Sequence, residues 1–63
     1  MASRYVVRAV FNGTNLSIPV SARNPQVAAA KAAVNRLTRK ASAYLVFERR
    51  TMLLVHSEPR RGN

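Results

Sequence analysis

The sequence predicts an α+β fold of order ββαββ, with one helix packed on a mainly antiparallel sheet, and three observations carry that expectation. Strand-forming residues flank Asn12-Gly13, an alanine-rich stretch follows Asn24-Pro25, and strand character returns after Ser42. The connections are all short, so elements adjacent in sequence are expected side by side in space.

The first strand spans 4–11, Arg-Tyr-Val-Val-Arg-Ala-Val-Phe, and Asn12-Gly13 supplies the residue types that a two-residue type I′ hairpin needs at its positive-φ positions. With those two residues in the loop, Phe11 pairs with Thr14, Ala9 with Leu16, Val7 with Ile18 and Tyr5 with Val20. Tyr5, Val7, Ala9, Phe11, Leu16, Ile18 and Val20 then share one face, and a one-residue slip would move them all to the other. The opposite face carries Arg4, Val6, Arg8 and Val10 with Asn15, Ser17 and Pro19. Pro19 has no ladder donor, which assigns the second strand to an edge or to an irregular end.

Asn24 suits a helix N-cap and Pro25 the first helical position, whereas Val27 stands where a capping box would place Glu or Gln. A helix over about 25–40 follows, with Val27, Ala30, Val34, Leu37 and Ala41 as its apolar stripe and Ala33 alongside. Asn35, Arg36, Arg39 and Lys40 then face outward.

Residues 43–48 and 51–56 read as a second hairpin around Arg49-Arg50, or as one long bent strand, because Arg-Arg lacks the positive-φ preference of Asn-Gly. In the hairpin register Ala43, Leu45, Phe47, Met52 and Leu54 share one face, and Tyr44, Val46, Leu53 and Val55 the other. Both faces are apolar, and one helix covers only one of them, so the second calls for a partner. The domain is expected over 1–56, with 57–63 as a basic flexible tail.

Size points the same way. A 63-residue chain of 7.0 kDa buries roughly 6,000 Å² on folding, a gain near 90 kcal/mol if about 60% is apolar, against about 95 kcal/mol for ordering the chain. The sum is near zero. Without cysteine there is no disulfide or thiolate zinc site to add stability, and a homodimer is the expected remedy. No apolar run approaches the length of a membrane span, and Arg4 and Arg8 interrupt the region where a signal peptide needs an apolar core. The expected setting is intracellular, cytoplasmic or nucleoid-associated, with no membrane partner.

The inventory of reactive groups argues against an enzyme. Glu48 and Glu58 are the only carboxylate side chains, each near arginines, and His56 has no evident acidic group to orient it. Two glycines and no cysteine leave no phosphate-loop, dinucleotide or zinc-finger pattern. No cofactor or metal is expected.

Eleven Lys and Arg against two acids give a net charge of +9. Basic residues near a helix C-terminus also complement its dipole, but that role does not explain why acids are nearly absent elsewhere, whereas a polyanionic ligand does. The expected phosphate contacts are Arg36, Arg39, Lys40, Arg49 and Arg50, with Arg60 and Arg61 as a mobile arm and Arg4 and Arg8 on the first strand. Tyr5, Phe11 and Phe47 fit the core, leaving Tyr44 as the candidate for base stacking. So few aromatics favour nucleic acid bound through its phosphates, duplex DNA ahead of RNA. The alternative is a protein-binding adaptor or inhibitor that covers an acidic partner, such as a nucleic-acid enzyme.

Overall fold

The computed structural model describes residues 3–59, and Arg60 and Arg61 lie outside them. Four strands, β1 (Ser3–Phe11), β2 (Thr14–Ala22), β3 (Ala43–Glu48) and β4 (Leu54–Pro59), form one antiparallel sheet of order β2-β1-β3-β4. Helix α1 (Pro25–Ala33) lies across one side of it. The ββαββ expectation therefore holds, and Pro19 sits on an edge strand as its missing N–H requires.

The first hairpin has the expected register, with Val7 opposite Ile18 and Phe11 opposite Thr14. Its turn differs. Gly13 has φ +85°, but Asn12 is not among the positive-φ residues, so the turn follows the sign pattern of type II and not type I′. Tyr5, Val7, Ala9 and Ile18 are buried beneath the helix, with Phe11 and Val20 packed partly against them.

Asn24 caps α1 as expected, its Oδ1 accepting the Val27 N–H at 2.8 Å. The helix is shorter than the predicted span and turns a different face to the sheet. Ala28, Ala29 and Ala32 are fully buried, while Ala30 is exposed, Val34 is 79% exposed and Leu37 67%. After Ala33 the chain tightens into turns, with Val34 N–H bonding to the Lys31 carbonyl and Asn35 N–H to that of Ala32. A stripe through Val34 and Leu37 needs the helix to continue, and it does not. The methyl-sized face formed by Ala28, Ala29 and Ala32 lets the helix approach the sheet closely.

Val27 and Ala33 pack partly against the core and Ala41 is buried, as expected, while Thr38 takes the inward place expected of Val34 and Leu37 at the helix exit. Its buried hydroxyl donates to the Ala32 carbonyl at 2.5 Å, and the Tyr44 hydroxyl donates to the Thr38 carbonyl at 2.5 Å. Tyr44, Val7 and Val46 are the largest fully buried apolar-bodied side chains, forming the centre of the core. Tyr44 is thus a core residue, and the base-stacking expectation for it is overturned.

The second hairpin forms, but a five-residue connection over 49–53 replaces the expected Arg49-Arg50 turn. Glu48 N–H donates to the Leu53 carbonyl at 3.0 Å and Met52 N–H to the Glu48 carbonyl at 2.6 Å, with Met52 at φ +58°. Two arginines have no preference for positive φ, so the chain closes through a longer loop. Val46 pairs with His56 and Phe47 with Leu54, leaving Val55 as a bulge residue. Met52 and Leu53 fall in the loop instead of on either strand face. Residues 57–59 pair with β3, so the sheet extends three residues into the stretch expected as tail.

Candidate functional site

Alternation along the strands divides the sheet into a covered and an open side. Tyr5, Val7 and Ala9 face the helix, and opposite residues share a face, so Glu48 (paired with Tyr5) and Glu58 (paired with Tyr44) also lie on the helix side. The open side carries Arg4, Val6, Arg8 and Val10 from β1 and Ala43, Leu45 and Phe47 from β3. None of these seven is fully buried. Asn15, Ser17, Pro19 and Ser21 flank them on β2, and Leu54 lies opposite Phe47 on β4.

This open face bears arginine and apolar surface but neither of the chain's two side-chain carboxylates. At its centre the Arg8 guanidinium carbon lies 5.3 Å from the centroid of the Phe47 ring, a cation–π arrangement. Sequence reasoning placed Phe47 in the core. The structure leaves it half-buried on the open side, because Tyr44 and Val46 take the helix-facing positions of β3.

At the end of the sheet where β1 begins, Arg49 N–H donates to the Arg4 carbonyl at 3.2 Å, extending the β1–β3 ladder by one step. Arg4, Arg49 and Arg50 line an open hollow of about 450 Å³ with Ser3 and Glu48. Arg4 and Arg49 also line an adjoining hollow of about 310 Å³ with Tyr5, Pro19, Val20 and Ser21. Glu48 is the one acid there, and its Oε1 accepts the Thr51 hydroxyl at 3.0 Å. Three arginines against one carboxylate leave the hollow with a positive excess.

Arg36, Arg39 and Lys40 are exposed in the turns after α1, on the path to Ser42, whose N–H bonds to the Val10 carbonyl. They therefore belong to the other end of β1 from Arg4, and Arg36 lines a separate hollow with Asn35 and Leu37. The nine expected contact residues thus divide into an Arg4/Arg49/Arg50 corner, Arg8 on the open face, and the turn cluster, with Arg60 and Arg61 outside the described residues.

His56 has an acidic neighbour after all. Its Nε2 lies 3.3 Å from Glu58 Oε1, since residues two apart on a strand share a face. Among the described residues no group of three His, Asp or Glu could hold a metal ion, and no helix is long and apolar enough to cross a membrane. Comparison with protein-family models, curated proteins and solved structures finds no match to this chain.

Proposed function

We propose that this chain is a small basic nucleic-acid-binding protein that holds phosphates at the corner formed by Arg4, Arg49 and Arg50. The observation that carries this reading is the convergence of those three arginines, from the start of β1 and the β3–β4 loop, on one hollow beside an acid-free sheet face. Arginine presents a planar fork of donors suited to phosphate oxygens, and a chain of net charge +9 gains from a polyanion both locally and over its whole surface. The contacts are of the positioning kind, to phosphates, which fix where a strand lies without reading its sequence. Arg36, Arg39 and Lys40 supply long-range attraction from the far end of the domain. A binding titration against salt, with duplex DNA, single-stranded DNA and RNA, tests the reading: affinity falling steeply with salt supports it, and no binding at low salt rejects it.

A second reading, a protein-binding adaptor, draws on a different surface. Met52, Leu53, Leu54 and Val55 are each at least 44% exposed along the loop and the edge strand β4. The other edge, β2, is blunted by Pro19 at mid-strand. An acidic protein or a second copy of the chain pairing along β4 would cover those four side chains. Sedimentation equilibrium at micromolar concentration tests the homodimer, and a monomer mass throughout that range rejects it.

A further inference from the structure

We infer that the open face of the sheet is a platform for an unpaired polynucleotide strand, whose bases rest on the Arg8–Phe47 pair and its apolar surround while its phosphates reach the Arg4/Arg49/Arg50 corner. This rests on the nucleic-acid reading and adds the form of the ligand and the surface that takes its bases.

Three features of the face define the occupant. Apolar side chains surround the central Arg8: Leu45 lies opposite it, Val6 pairs with Phe47, and Leu54 extends the patch onto β4. That surface suits base rings, which every nucleotide presents once it is unstacked. Its charges are all of one sign, with Arg4 and Arg8 projecting from it and both carboxylates on the helix side. A second copy laid face to face would add like charge to like across the contact, with no carboxylate on either face to offset it. Finally, the cation–π contact at 5.3 Å joins a guanidinium to the one aromatic ring on this side of the sheet. A guanidinium plane and an aromatic face both stack with bases, and the guanidinium can bond a phosphate at the same time.

A duplex cannot use this surface in the same way, because its bases are already paired and stacked and only its phosphates are offered. The corner arginines serve both forms of ligand; Phe47 serves only the unpaired strand. Base rings and phosphates are common to DNA and RNA, so contacts to them alone do not distinguish the two.

The test measures binding of the full chain to a dT15 oligonucleotide, to rU15 and to a 15-base-pair DNA duplex, for the parent and for Phe47→Leu, which keeps apolar volume but removes the ring. The expected result is dT15 and rU15 bound within about threefold of each other, each weakened about tenfold or more by the substitution, a loss typical of one base–aromatic stack. Duplex affinity should stay within about twofold. Circular dichroism checks the variant's fold, and methyl NMR of the parent supplies a measurement independent of any variant. Val6, Leu45 and Leu54 methyl signals should shift on adding dT15, while those of Val7 and Val46 beneath the helix stay still. Equal loss for duplex and single strands, or shifts confined to the helix side, would overturn the platform. So would binding of rU15 without dT15, which would place recognition on the ribose hydroxyl. A parent that binds duplex but neither single strand defeats this inference alone, whereas one that binds no nucleic acid at low salt defeats the functional reading as well.

Discussion

The buried hydroxyl of Thr38 donates to the carbonyl oxygen of Ala32 across 2.5 Å, tying the turn segment after α1 to the helix end it has just left. The next step of the same relay is the Tyr44 hydroxyl on the Thr38 carbonyl, which ties that segment to β3. Two side-chain hydrogen bonds thus anchor the end of a nine-residue helix to the sheet. Thr38→Val keeps the shape and removes the donor. It should cost about 1 kcal/mol, lowering Tm by about 4–8 °C for a domain of this size, as read by thermal denaturation. Tyr44→Phe should cost a similar amount.

Met52 occupies left-handed backbone at φ +58°, a conformation that L-residues with a Cβ adopt at a cost. Its side chain is 54% exposed, so little packing is lost by removing it. Met52→Gly should leave stability unchanged or raise it by up to about 1 kcal/mol, with relief of strain offset by the extra freedom of glycine when unfolded. Gly13→Val, at φ +85°, should instead destabilise by more than about 1 kcal/mol, although nothing within 4 Å obstructs an added Cβ. Urea denaturation of the two variants checks the contrast.

The face that α1 turns to the sheet has its own signature. Ala32 is fully buried and Leu37 is 67% exposed. Ala32→Leu should overpack the helix–sheet interface and cost about 1–3 kcal/mol or more, whereas Leu37→Gln should change stability by no more than about 0.5 kcal/mol. The reverse order of these effects would restore the stripe through Val34 and Leu37.

The two basic ends of the domain separate in a salt titration. Neutralising Arg4, Arg49 and Arg50 together to Gln should reduce the slope of log affinity against log salt by up to roughly 2.7 on duplex DNA, about 0.9 for each lost phosphate contact. Neutralising Arg36, Arg39 and Lys40 should change the slope less, since those side chains do not converge with the corner. A larger effect from the second triple would move the phosphate site to the turns after α1.

Local chemistry made the order of elements, the first hairpin's register and the Asn24 cap legible in the sequence. Each depends on residues near one another in the chain: Asn12-Gly13 for the loop, alternation for the paired faces, and the Asn24 side chain for the Val27 N–H. The net charge likewise needed no coordinates. Contacts between distant segments decided the rest. An apolar stripe through Ala30, Val34 and Leu37 and a small-residue face through Ala28, Ala29 and Ala32 are both present in the same sequence, and the closer approach to the sheet selects the second. Tyr44 and Phe47 both lie on an apolar strand, but only the pairing of β3 with β1 puts Tyr44 under the helix and Phe47 beside Arg8. Arg4 and Arg49 are 45 positions apart, and the antiparallel ladder makes them neighbours. Periodicity determines which residues share a face; it does not determine which face another layer will cover, because that depends on volumes and registers set by the whole fold.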